Sequence, residues 1–155
     1  MTVRELVENQ RFGEGLGGGE CEGLAGCASE RRFAAGEYLL RQHTVADTFY
    51  LVLEGEVQIK LSLPGQGLVT LETIGPDEAV GWSWFAPPYR CQFDALAVAP
   101  TRALAFDAGL LRALMERDPA VGYTVLKAPV ATLSERVQSC RLHALDVYAP
   151  PTGPR

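Results

Sequence analysis

Between Arg31 and Phe106 the chain repeats one pattern: a short apolar or alternating run, then a glycine or proline turn. Roughly eight such runs follow one another at spacings near ten residues, which calls for an antiparallel roll, jelly roll or barrel. The most regular is Val57-Gln58-Ile59-Lys60-Leu61, where Val57, Ile59 and Leu61 share one face of a strand. Pro64-Gly65-Gln66-Gly67 turns the chain into a second alternation, Leu68 to Ile74, which ends at Gly75-Pro76. Thr48 to Leu53 differs, being apolar without clear alternation. Phe93 to Val98 and Arg102 to Phe106 close the series, divided by Pro100.

After Phe106 the period changes. Ala108 to Glu116 places Leu110, Leu111 and Leu114 at helical spacing, and Asp118-Pro119 carries the cap and first-turn proline of a second helix. From Leu126 the apolar positions run Leu126, Val130, Leu133, Val137, Cys140 and Ala144, alternating steps of four and three as a coiled-coil seam does. Pro129 lies inside that seam and predicts a kink or a division there. At the other end, residues 1–17 read as a loop-like, partly disordered entry. Cys21, Leu24, Ala25 and Ala28 then fit one face of a short helix. Residues 18–148 form the domain, and 149–155, with three prolines, read as a disordered tail.

Composition narrows the function. A net charge of −5 with scattered Arg and Lys gives no basic stripe for nucleic acid. No apolar run approaches a membrane span and no secretory h-region opens the chain, so a cytoplasmic protein is expected. No Ser-His-Asp order, His-x-x-x-His or phosphate loop appears, which argues against an enzyme. Cys21, Cys27, Cys91 and Cys140 form no Cys-x-x-Cys pair, so four small buried hydrophobes are expected and no metal.

The order of these elements resembles the cyclic nucleotide-binding domain, the sensor half of the catabolite-activator and fumarate/nitrate regulators. The resemblance rests on Phe33-Ala34-Ala35-Gly36-Glu37 with Leu39, Leu40 and Gln42, and on Ala46-Asp47 before Phe49-Tyr50. Leu53-Glu54-Gly55-Glu56-Val57, Ile74-Gly75-Pro76, Gly81, Ala95 to Ala99 and Asp118-Pro119 extend it. Gly81-Trp82-Ser83-Trp84, Pro87-Pro88-Tyr89-Arg90 and Asp146-Val147-Tyr148 are similar to a branch of small stand-alone bacterial proteins that lack a DNA-binding partner. The resemblance implies a mainly β fold with α: a cyclic-nucleotide-binding-like β-roll, flanked by a short N-terminal and a long C-terminal helix.

It also implies where a ligand would sit, and there the chain departs from the pattern. The family's phosphate-binding cassette uses a Glu on the ribose hydroxyl and an Arg on the cyclic phosphate, beside backbone N–H groups. At those positions stand Trp82 and Phe93. Two family glycines are replaced by His43 and Asp77. Gly81, Trp82, Ser83, Trp84, Arg90, Phe93 and Asp94 are the candidate ligand-binding residues. Arg90 is the nearby cation, and is read either as a surface residue or as a substitute reaching back to the cassette. Trp82 and Trp84 are read either as filling the pocket or as platforms for a flat ligand.

The expectation is a non-enzymatic regulatory or sensor module with a degenerate cassette, acting through another ligand or a protein partner, with no cofactor. The alternative is a cyclic AMP or cyclic GMP binder that uses Arg90 and backbone amides. A redox or iron–sulfur sensor and a subunit of a transcription regulator are weaker readings; only seven residues follow Tyr148, so no helix-turn-helix and no direct DNA binding are expected. In the regulators the long helix pairs with its symmetry mate. A homodimer through Leu126, Val130, Leu133, Val137 and Cys140 is therefore expected.

Overall fold

The structure, a computed structural model, describes residues 1–148. The expected tail 149–155 lies outside them. Helix α1 (Val3–Glu8), a 3-10 turn (Arg11–Gly13) and α2 (Gly18–Ala25) precede the strands. These are β1 (Ala28–Phe33), β2 (Tyr38–Leu40), β3 (Thr48–Glu54), β4 (Val57–Leu63), β5 (Gly67–Ile74), β6 (Ala79–Val80), β7 (Asp94–Ala97) and β8 (Thr101–Asp107). A 3-10 turn (Trp82–Trp84) separates β6 from β7, and α3 (Ala108–Arg117) and α4 (Pro119–Tyr148) complete the fold. The strands pair antiparallel in two four-stranded sheets, ordered β1-β8-β3-β6 and β2-β7-β4-β5. This is the expected β-roll with its two helical flanks.

Two strands explain the apolar run without alternation. Along β3, Phe49 and Leu51 join the cluster beneath the helices, while Tyr50 and Val52 join the cluster between the sheets. Along β8, Leu104 and Phe106 face the helices, and Ala103 and Ala105 face the other sheet. A strand buried on both faces carries apolar residues at every position, so its period of two is erased. Small residues on the inner face, Ala95, Ala97, Ala103 and Ala105, leave room for the sheets to close on Val52, Val57 and Ile74.

The entry is more ordered than its sequence suggests. Residues 1–17, read as loop-like, contain α1, capped by Thr2 and Glu5: the Glu5 N–H donates to Thr2 Oγ1 at 3.3 Å and the Thr2 N–H to Glu5 Oε2 at 2.6 Å. Leu6, Val7 and Phe12 are buried, and the Phe12 ring lies 5.8 Å from Phe49 and 5.5 Å from Phe106. Six helical residues are too few for a periodic signal; tertiary burial holds this segment in place. The short helix expected to carry Cys21 to Ala28 is α2, which ends at Ala25, and β1 begins at Ala28.

At the C-terminal end, Asp118 caps α4 through the Ala120 N–H (3.2 Å), with Pro119 at its first position as the sequence signals. The division expected at Pro129 does not occur, because α4 runs on as one helix of 30 residues. Val121 and Val125 anchor its first turns in the core. Beyond them the seam turns outward: Val130 is 58% exposed, Leu133 45% and Val137 46%. The cysteines divide likewise, with Cys21 and Cys91 buried, Cys27 half-buried and Cys140 exposed. The expectation of four buried hydrophobes therefore fails for Cys140, which stands on the open seam.

Phe49 is the residue where helices, strands and the Trp turn meet, its ring lying 4.9–5.9 Å from Phe12, Trp82, Trp84 and Phe106. Phe49→Ala is expected to destabilise the domain by about 3–5 kcal/mol. Urea unfolding checks this as a lower midpoint at unchanged slope.

Candidate functional site

The site begins at Gly81, directly after β6. Its φ of 92° lies in the left-handed region, and an added Cβ would sit 2.7 Å from Leu40 Cδ1. That backbone turn swings the chain into Trp82–Trp84 and sends the two indoles to different places. Trp82 is half-buried, with its ring 4.9 Å from Phe49. Trp84 is fully buried in the cluster beneath the helices, where Arg112 of α3 donates to its carbonyl. Both indole N–H groups are buried without a hydrogen-bond partner among the described residues.

From Tyr89 the chain returns alongside residues 43–46. The Ala46 N–H donates to the Tyr89 carbonyl (2.8 Å), Cys91 N–H to Thr44 (2.9 Å) and His43 N–H to Cys91 (2.8 Å). His43 and Asp77, where the family carries glycine, keep positive φ values of 69° and 64°. Both residues hold a left-handed backbone, a region that glycine enters more easily.

Between the second sheet and α4 lies a cavity of about 500 Å³. Leu40, Ile59, Leu71, Ile74, Trp82 and Phe93 give it a mostly apolar wall. Helix α4 closes one side with Leu133, Arg136, Ser139 and Cys140. Three charged side chains border it: Glu72, Asp94 and Arg136. Asp94 is buried and already engaged, accepting from the Gln42 N–H at 2.7 Å with Arg41 Nε at 3.4 Å. The Arg136 guanidinium lies 2.7 Å from the Glu72 carboxylate, joining α4 to β5. Burial pushes the Glu72 carboxyl up from its ordinary range, opposed by Arg136 and assisted by Glu78.

The structure brings Gly81, Trp82, Ser83, Phe93 and Asp94 together on this cavity, with Leu133 and Cys140 from the seam. It does not bring Trp84 or Arg90 there. Trp84 packs in the core, and Arg90 Nη1 donates to the His43 carbonyl at 2.9 Å, bracing the return strand. Leu126, another seam residue, borders a shallow surface groove beside Phe85, Tyr89 and Tyr123. Sequence reasoning missed Arg136 and Glu72. The available signal was position: Arg136 follows Leu133 by three and precedes Cys140 by four, so all three share a helix face.

Among the described residues no group of three or more His, Cys, Asp or Glu side chains is arranged to hold a metal ion. Burial pushes the Cys21 and Cys27 thiols up, away from the thiolate form that ligates iron or zinc. Among the same residues, no helix is long and apolar enough to cross a membrane.

The sequence model of the cyclic nucleotide-binding domain matches residues 30–118. Among solved structures, the chain is similar to a candidate cyclic nucleotide-binding protein from Geobacter metallireducens GS-15, at 25% identity over 88% of this chain and 99% of that one, with a TM-score of 0.77. It is similar to the catabolite activator protein of Thermus thermophilus at 26% identity, covering 90% of this chain and 63% of that one, with a TM-score of 0.70. A cyclic nucleotide-binding domain from Methylobacillus flagellatus KT shares the fold, with a TM-score of 0.77 at 19% identity over 98% of this chain and 85% of that one. No curated protein matches the sequence.

Because the turn at Gly81 aims Trp82 and Ser83, Gly81→Ala is expected to strain the backbone by about 1–2 kcal/mol and to displace Leu40 from the cavity wall. Urea unfolding reads the first effect, and a changed Trp emission reads the second.

Proposed function

The chain belongs to the cyclic nucleotide-binding domain family, whose sequence model covers residues 30–118, and we propose that it is a regulatory module that no longer uses the family's nucleotide chemistry. One observation carries this reading. The cassette positions that would hold ribose and phosphate are Trp82 and Phe93, and the nearby cation, Arg90, is committed to the His43 carbonyl. A charge-assisted pair to a phosphate is among the stronger polar contacts a site can offer, and indole and phenyl rings cannot replace it. The module is non-enzymatic: Glu72, Asp94 and Arg136, the charged groups at its cavity, are each held by a partner within the fold.

Its output runs through α4. Leu126, Leu133 and Cys140 recur every seven residues along one line, with Val130, Val137 and Ala144 along the next. The first line borders the cavity at Leu133 and Cys140; on the second, Val130 and Val137 stand open to solvent. One helix therefore presents a ligand-facing edge and an adjoining apolar edge, on which a second copy of the chain would pack to form a two-fold dimer.

Two measurements test the proposal. A ligand at a hundredfold its dissociation constant stabilises a domain by about 2.7 kcal/mol. Cyclic AMP and cyclic GMP at such excess over a micromolar constant are expected to leave the melting temperature unchanged; a saturable upward shift would overturn the lost-chemistry reading. For the dimer, Val130→Glu combined with Val137→Glu is expected to halve the mass seen by light scattering. An unchanged mass would mean that the seam is not the interface.

A further inference from the structure

The cavity is open and mostly apolar with Trp82 and Phe93 on its wall, and its own side chains point to a ligand other than a nucleotide. Its walls are aliphatic and aromatic, and about 500 Å³ is within the range of small-molecule sites. Its charges are two carboxylates and one guanidinium, so an anion gains there only by replacing a carboxylate on that guanidinium, an exchange that a monoanion balances and a phosphate dianion does not. Asp94 is tied to the Gln42 N–H and Arg41. Arg136 is the cation that a ligand can reach: its side chain is 30% exposed and that of Glu72 33%, which places the pair at the rim.

We infer that the cavity takes an apolar monocarboxylate, with its body against Leu40, Ile59, Leu71 and Phe93 and its carboxylate on Arg136 in place of Glu72. This rests on the reading that the cassette no longer serves nucleotides. The planar guanidinium suits a carboxylate through two parallel N–H donors. The exchange is one carboxylate for another, so Arg136 stays neutralised throughout. Burial already pushes the Glu72 carboxyl up from its ordinary range, and that shift grows once Arg136 withdraws.

The same exchange reaches the helix. Among the described residues, Arg136–Glu72 is the ion pair that ties α4 to the β-roll, and Val130, Val137, Leu142 and Leu145 along the outer half of the helix are exposed. A ligand that takes Arg136 releases this tie and resets how the outer half of α4 lies on the roll. Ligand occupancy is thereby coupled to the seam through Arg136.

The test titrates the whole chain with octanoate, with octanol and with cyclic AMP, following tryptophan emission and heat of binding. Octanoate is expected to bind saturably and more tightly than octanol. Arg136→Gln should weaken octanoate by about tenfold to a hundredfold and leave octanol unchanged. Glu72→Gln, which removes the internal competitor, should tighten octanoate several-fold. Both side chains are partly exposed, and circular dichroism confirms that the variants fold. Octanoate binding indifferent to both substitutions, or no octanoate binding at all, overturns this inference and leaves the cassette reading standing. Saturable binding of cyclic AMP overturns the cassette reading, and this inference with it.

Discussion

The structure depends on two strands being buried from both sides. Residues 49–52 of β3 and 103–106 of β8 send alternate side chains into two separate clusters, one under the helices and one between the sheets. Phe49 and Phe106 hold the entry turn through Phe12, and Phe49 also supports Trp82 and Trp84. Apolar surface on both faces roughly doubles the area each strand removes from water. The helical flanks are thus parts of one core rather than attachments to a finished roll.

That arrangement decides what the cassette region can do. Once Trp84 is drawn into the helical cluster and Trp82 is laid against Phe49, the turn between them has lost the freedom of a surface loop. Tyr89 to Cys91 is then laced back along residues 43–46, with the Arg90 guanidinium spent on the His43 carbonyl. A guanidinium held in this way costs its hydrogen bond to withdraw. Of the residues that a nucleotide reading singles out, Trp84 and Arg90 are held in the scaffold, while Gly81, Trp82, Ser83, Phe93 and Asp94 border the cavity that α4 closes.

Helix α4 therefore serves two surfaces. Its first turns, with Val121 and Val125, are core. Farther along, Leu133, Arg136 and Cys140 border the cavity while Val130 and Val137 face solvent. A seam with steps of four and three covers a stripe wide enough to be shared between a cavity and a neighbouring helix. The two surfaces lie within about one turn of each other along the helix.

Much of the fold was legible because its signals are local. Turn residues such as Pro64 to Gly67, the alternation of Val57 to Leu61, and the cap at Asp118-Pro119 act within a few residues and mark element types directly. Even the altered glycine positions His43 and Asp77 could be read as turns, and both keep a left-handed backbone. The same locality put Trp82 and Phe93 at the positions, counted from Gly81 and Ala95, where the resemblance expects Glu and Arg. What sequence left open was every contact made across a large separation. Six residues of α1 carry no period, and only burial of Leu6, Val7 and Phe12 orders them. Two tryptophans one residue apart look alike until the turn at Gly81 sends one to the cavity and one to the core. Sequence alone determined most of the elements and their order, and which residues stand at the cassette positions, because those are properties of neighbouring residues. Only the tertiary structure decided that Arg136 meets Glu72 over an apolar cavity, because 64 positions separate them along the chain and only the folded roll brings them to 2.7 Å.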